Sequence, residues 1–390
     1  MKELLVGLTS ADIRSNLDFY QIKPDGSMVQ EAISKLESTV YGQERACREV
    51  GRAVVRALAG MSSPNRPEFS LLLAGETGVG KTEMARAIAR LQHEKDWEKH
   101  VKIIDCANFK ERHEIARLTG SPPGYVGFGM PGVLTQEFLA DRNVVVFDEV
   151  EKGHIALHQL LLSILDRGKL QATLGKGHAE LNFSMSTVVL TTNVGAEELH
   201  NVKKGRHCGF DTHQCDSQDV YEIGLRSVKE HFRHMPELLG RLDAMVVMDS
   251  LTLPVMRKIM DKFMNEMNED QQYGRNFLAL TGECKDWVIS KTNIEYGARD
   301  LRKSLEKLII APAAEVKLEL KSGMPFIADL DDEGQLIFWT SKSLRDETPD
   351  ITSKKKVYII PITQCPKDSP DDSRSDGDDG TEVIYKGPLL

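Results

Sequence analysis

Five short apolar runs punctuate the first two-thirds of the chain: FSLLLAG at 69–75, VKIIDCA at 101–107, VVVFDEV at 144–150, STVVLTTN at 186–193 and AMVVMDS at 244–250. Each is almost uninterrupted, which is the pattern of parallel strands covered on both faces. Helix-period segments separate most of them, so the alternation predicts a three-layer α/β domain with a parallel sheet over 37–251. From 252 the pattern turns helical. It predicts a smaller, mostly helical domain over 252–340 with a hairpin in PFIADLDDEGQLIFW (325–339), turning at Asp-Glu-Gly. A leader over 1–36 carries a turn at Pro24-Asp25-Gly26 and a predicted helix over 28–38. Within a tail over 341–390, KKKVYIIPIT (354–363) can supply an edge strand, and the Asp/Ser/Gly-rich end has too little apolar content to fold.

Composition narrows the function classes. A chain that is 41% hydrophobic and 28% charged is balanced for a soluble protein with a sizeable core. The formal charge is -9, but residues 366–382 alone set seven acids against Lys367 and Arg374. The folded body is thus only mildly acidic, with no general attraction to nucleic acid or anionic membrane. Six cysteines are too sparse for a disulfide framework, and neither a signal-peptide core nor a membrane-length run occurs. A reducing cytoplasm is the expected setting.

The chemistry sits at the ends of the predicted strands. GETGVGKT (Gly75, Glu76, Thr77, Gly78, Val79, Gly80, Lys81, Thr82) follows a strand and precedes the helix-like EMARAIARL, the context a phosphate loop requires. Amides from Gly78 to Thr82 can wrap phosphates, Lys81 can reach the β and γ oxygens, and Thr82 can ligate magnesium. In VVVFDE, Asp148 is placed to hold Mg2+ and Glu149 to accept the proton of an attacking water. By itself such a pair also describes a solvated corner. Asn193 closes VVLTTN, so in a parallel sheet its amide emerges at the same edge, where it can orient the water, sense the γ-phosphate or merely cap the strand. SPPGYVGFG (121–129) places an aromatic, Tyr125, between glycines and after two prolines, where it is displayed rather than buried.

In the order phosphate loop, GYVG, FDEVEK, TTN, PELLGRLD and YGARDL, the chain resembles the ATPase module of the Clp-type ring unfoldases of the AAA+ superfamily. The likeness is to the second ATPase ring of ClpA, ClpB and ClpC-like proteins and covers about 40–320. It implies ATP and Mg2+ as cofactors, a homo-hexamer, and unfolded or tagged proteins as substrates, threaded through the ring with no nucleic acid or membrane involved. It also implies that Val40 and Tyr41 of VYGQ flank adenine and that Arg241 is an arginine finger offered to the neighbouring subunit's γ-phosphate. Arg299 would be a second sensor reaching the same phosphates. Gly124, Tyr125, Val126 and Gly127 would form the loop that grips substrate in the channel, and GKG (175–177), with Lys176 and His178, a secondary pore loop or a surface hairpin.

Some features depart from that pattern. Gly240 stands where the family usually has Asn, and the tail has no counterpart. In GRHCGFDTHQC (205–215), Cys208-Gly209-Phe210 is a degenerate form of the tripeptide that docks a ClpP-type peptidase. His207, Cys208, His213 and Cys215 can alternatively ligate zinc, or the segment can be an unspecialised loop. Two competing functions use the same nucleotide core: a nucleic-acid motor or loader, and a scaffold that binds ATP only to assemble. The first calls for a basic channel rather than Tyr-Val, and the second leaves Glu149 and Arg241 without a task.

Overall fold

The computed structural model describes residues 26–63, 65–120, 132–174, 177–195, 217–269, 278–293, 296–320, 326–331, 333–340 and 356–360. Helix α1 (Ser27–Glu37), where the sequence predicts one over 28–38, leads into α2 (Glu44–Leu58). The five apolar runs become β1 (Phe69–Ala74), β2 (Val101–Asp105), β3 (Asn143–Asp148), β6 (Ser186–Thr192) and β7 (Ala244–Val247), with α3 (Lys81–Gln92), α4 (Ile155–Arg167) and α5 (Ser217–His231) between them. They form one parallel sheet in the order β2-β3-β6-β1-β7.

The uninterrupted apolar runs are explained by where alternate residues go. Phe69, Leu71 and Leu73 of β1, Val144 and Val146 of β3 and Val189 of β6 face α2 and α3, packing on Val50, Met84 and Ile88. Leu72, Val145, Phe147, Val188 and Leu190 point the other way, onto Leu157, Leu161 and Ile164 of α4 and Val228 of α5. Both faces are dry, so neither tolerates polar alternation. Between α4 and β6 lies a two-stranded ribbon, β4 (Lys169–Leu174) and β5 (Gly177–Asn182), whose Leu170, Ala172 and Leu181 join the same core as α4.

The C-terminal unit begins with α6 (Leu253–Glu269) and continues through β8 (Leu278–Leu280), α7 (Gly282–Ser290) and α8 (Gly297–Leu305). One π turn (Glu306–Ile310) joins α8 to α9 (Ala311–Leu320). Then β9 (Phe326–Leu330) and β10 (Leu336–Thr340) make the predicted hairpin, its turn held by Asp331 Oδ1 accepting from the amides of Glu333 (3.0 Å) and Gln335 (2.8 Å). This unit holds more sheet than a mostly helical reading expects. The three-residue β8 pairs in parallel with β9, and β11 (Lys356–Ile360) pairs with β10, giving the order β11-β10-β9-β8. A strand of three residues is too short to show a period. Met256, Met260, Val288, Leu301, Ile309 and Phe338 form its separate core.

The edge strand β7 is pinned by one side chain. Asp243 Oδ2 accepts from the amide (2.8 Å) and hydroxyl (2.7 Å) of Ser70, and the Asp243 amide returns a bond to the Ser70 carbonyl at 3.0 Å. Replacing Asp243 with Ala should leave the buried Ser70 amide without its acceptor and cost about 1–3 kcal/mol. A lower denaturant midpoint with an unchanged slope is the expected result; an unchanged midpoint would show that the register is set elsewhere.

Candidate functional site

The carboxyl edge of the large sheet gathers one loop, one helix start and two strand ends. After β1 the chain turns through Gly75, Gly78 and Gly80, whose φ values of 149°, 79° and 108° are open to glycine and strained for other residues. Helix α3 then starts at Lys81, leaving its first amides without helical acceptors at the positive end of the helix dipole. That is a site for an anion.

The Lys81 side chain is buried, and its ammonium donates to the carbonyls of Gly75 and Glu76 (both 2.7 Å) and to Asn193 Oδ1 (2.8 Å). Burial pulls its pKa down to about 8, against the opposing pull of Asp148, Glu151 and Glu149. Asn193, just beyond β6, spans two of these groups: its oxygen takes Lys81 and its Nδ2 donates to Glu149 Oε1 at 2.8 Å. The other Glu149 oxygen accepts from Lys152 at 2.6 Å. The hydrogen bond from Lys152 is the main reason the Glu149 carboxyl lies below the usual range, so it is ionised at neutral pH.

Glu149 also holds a φ of 54°, rare for a residue with a side chain. Thr191 maintains it, since its hydroxyl accepts from the Glu149 amide at 3.0 Å and donates to Asp148 Oδ1. Two neighbours that sequence reasoning did not single out complete the edge. Glu151 accepts from the Asn193 amide at 3.1 Å, and its second oxygen is buried without a partner; Lys152 is the cation on Glu149. Both lie within FDEVEK, where the i,i+3 spacing of Glu149 and Lys152 is the available signal.

A cleft of about 700 Å³ opens beside the loop. Val40, Tyr41 and residues Gly78 to Gly80 line it from the large domain, with Ile259 and Phe263 of α6 and Arg299 of α8 from the small one. Its size and mixed lining suit a nucleotide. Gln43, a further residue missed in the sequence, ties VYGQ to the loop: its amide donates to the carbonyls of Val79 (3.3 Å) and Asp249 (2.7 Å) and accepts from the Asp249 amide (2.9 Å). The small domain touches the loop backbone to backbone, through the Ala298 amide on the Gly78 carbonyl at 3.0 Å. Gly297 permits this approach, having a φ of 54° and no Cβ, which would stand 2.8 Å from that carbonyl. Lys262 of α6 donates to the Thr39 carbonyl (3.1 Å) and to Glu83 of α3 (3.0 Å), clasping the cleft from its outer side.

The structure thus brings together the loop, Asp148, Glu149, Asn193, Val40 and Tyr41, with Arg299 on the small-domain side of the cleft. The Thr82 hydroxyl and the Asp148 carboxylate are hard oxygen donors, chemistry that fits magnesium. Arg241 is elsewhere. It precedes β7 beside the start of β1, a strand's length of roughly 20 Å from the loop, and it pairs with Asp166 at 2.5 Å. The loop with Gly124, Tyr125, Val126 and Gly127, the Cys208-Gly209-Phe210 tripeptide with its His/Cys neighbours, and Lys176 lie outside the described residues.

The buried lysine makes binding depend on pH. A bound phosphate favours the ammonium, so the complex titrates above the free site and binding takes up a proton once pH exceeds the free value. Nucleotide affinity should be level up to about pH 8 and then fall, by at most about tenfold per pH unit. Titration with a fluorescent ADP analogue measures it, and a flat profile through about pH 9.5 would refute the depressed lysine.

Comparison with known proteins fits this geometry. Residues 66–245 match the AAA domain (Cdc48 subfamily), and residues 251–323 match the C-terminal D2-small domain of ClpB protein. The chain is 34% identical over 345 residues to the chloroplastic chaperone protein ClpC1 of Oryza sativa, covering 85% of this chain and 37% of that one. It is 35% identical over 308 residues to chaperone protein ClpB of Staphylococcus epidermidis, covering 78% and 34%. The chain therefore spans about a third of the length of the curated relatives it matches. No helix among the described residues is long and apolar enough to cross a membrane. The cleft between its two domains is accordingly that of an AAA module with a D2-small lid, and the chain belongs to the Clp-type AAA+ family.

Proposed function

We propose that this chain is the motor module of an ATP-driven protein unfoldase, working as a ring in which each site is completed by the next subunit. The observation that carries the proposal is the continuous contact from Lys81 through Asn193 to Glu149. It links the group that would meet the γ-phosphate to the group that would take a proton. Magnesium, when bound at Thr82 and Asp148, supplies charge neutralisation on the phosphate oxygens.

The chain's own residues account for the remainder. The amides at the start of α3 and the Lys81 ammonium hold the phosphates, while Val40, Tyr41, Ile259 and Phe263 hold the base. Glu149 is ionised but has both oxygens engaged, so it acts as a base only after exchanging a contact with Lys152 or Asn193 for a water. That water then attacks the γ-phosphorus, its proton passes to Glu149, and the bond to the β-phosphate oxygen breaks. Because Asn193 Oδ1 accepts from Lys81, phosphate arriving at the lysine displaces the asparagine oxygen, and an asparagine freed to turn can release the base.

Arg241 supports a ring. Its distance from its own phosphate loop suits a cation offered to a neighbour, and its side chain is half exposed beside Asp166. The homo-hexamer, the protein substrates gripped by Tyr125 and Val126, and Arg299 as a sensor extend the same reading. Relatives named as ATP-binding subunits of Clp protease make a peptidase partner through Cys208-Gly209-Phe210 a second arm of it.

Glu149→Gln should retain nucleotide binding and lose hydrolysis by about 10²–10⁴-fold. Arg241→Ala should lose hydrolysis as well, yet rings mixed from the two variants should recover part of it, since some interfaces then hold both intact groups. Shown to be mixed but still silent, such rings would exclude catalysis between subunits. Unfolding is tested separately with Tyr125→Ala, which should hydrolyse ATP near the parental rate and fail to unfold a tagged fluorescent protein. Equal loss of both activities would make Tyr125 a folding residue instead.

A further inference from the structure

At the opposite rim of the large sheet from the phosphate loop, two histidines and an aspartate meet. His93 caps the C-terminus of α3, His100 immediately precedes β2, and Asp141 lies two residues before β3. One ligating atom from each side chain lies within 4.8 Å of the other two. Both imidazoles are partly buried and stacked, with centroids 3.6 Å apart and planes 6° from parallel, while Asp141 is exposed.

The hydrogen bonds around the rings decide what each can do. His93 Nε2 lies 2.7 Å from the carbonyl oxygen of Arg142, which can only accept, so Nε2 carries the proton and Nδ1 keeps a free lone pair. His100 Nδ1 lies 3.1 Å from Asn143 Oδ1. The orientation of that amide is fixed because Asn143 Nδ2 donates to the carbonyls of Asp141 (2.7 Å) and Phe138. His100 Nδ1 is therefore the donor, and Nε2 keeps the lone pair. Each ring thus has one nitrogen tied to an oxygen acceptor and the other available, which is how proteins orient a histidine that ligates a metal.

The tripeptide Asp141-Arg142-Asn143 supplies one ligand and both outer acceptors. The cations nearby are turned elsewhere, Arg142 to Glu68 at 2.9 Å and Lys99 to Asp96 at 3.2 Å. From this arrangement we propose that His93, His100 and Asp141 form a binding site for a borderline divalent transition metal, zinc in the first instance. Two imidazole nitrogens and one carboxylate make the three-ligand set of an open zinc site, and water takes the remaining position on the exposed side. A metal lies near the plane of every imidazole that binds it, so the parallel rings must splay on binding, pivoting about the hydrogen bonds at their far nitrogens. Bound there, the ion would tie the end of α3 to the starts of β2 and β3, some 12 residues along the helix from Lys81.

The test is calorimetric titration of the purified, chelator-treated full chain with zinc chloride. Cys208→Ser and Cys215→Ser are introduced first, to remove both thiolates of the other candidate zinc set, which leaves only His207 and His213 there. One equivalent of zinc should bind, and thermal unfolding should shift upward with zinc concentration. His100→Ala should weaken binding by at least about tenfold, the smaller effect seen when even an outer partner of a metal site is removed. Asp141→Asn, an exposed change that keeps the fold, should also weaken binding and abolish the thermal shift. No zinc uptake by the parent, or unchanged affinity in both variants, would overturn the proposal.

Discussion

A buried ammonium is the constraint around which the large domain is arranged. Lys81 has left water, and the cost of that is met only by acceptors delivered from several parts of the chain: two carbonyls of its own loop and the Asn193 oxygen. Asn193 can reach it because β6 lies directly beside β1 in the sheet order, and Glu149 can reach Asn193 because β3 lies beside β6. Strand order, not sequence adjacency, therefore assembles the site. The two dry faces of the sheet keep those strands in register, so that their ends arrive at one level.

The same geometry separates the phosphate loop from Arg241. Parallel strands put the loop, Asp148 and Asn193 at one rim and the start of every strand at the other, where Arg241 sits. An arginine there is a strand's length from the phosphate loop of its own chain, which is why we propose that it serves a neighbouring copy. Its carbonyl is held by Arg66 at 3.0 Å, and Asp243 on the same turn binds Ser70, so the backbone that presents it is anchored while the side chain remains free to leave Asp166. Fixed base and movable tip are what a contact made across an interface needs.

The fold was legible where it depends on period. Five uninterrupted apolar runs became the five strands of the large sheet, and the Asp-Glu-Gly turn became a hairpin. The phosphate loop and the acidic pair were legible because their neighbours in sequence are also their neighbours in space. What could not be read depends on contacts between distant residues. Gln43 finds Asp249, Lys152 finds Glu149 through the left-handed turn at that residue, and β8 is too short to show a pattern. His93, His100 and Asp141 are similar, being spread over three segments that meet only because α3, β2 and β3 share a rim.

The junction of the two domains shows how a nucleotide site can report its state. The lid meets the phosphate loop through main-chain atoms, the Ala298 amide on the Gly78 carbonyl, in a gap that only two glycines leave open. Side chains can turn to absorb a small displacement, whereas a backbone contact transmits it. On the far side of the cleft, Lys262 joins the lid to Glu83 on α3, the helix that starts at Lys81. The lid is thus attached to the first turn of α3 and to the loop that leads into it. Any ligand that shifts the loop must either carry α8 with it or break the bond to Gly78, so lid position becomes a function of what the loop holds.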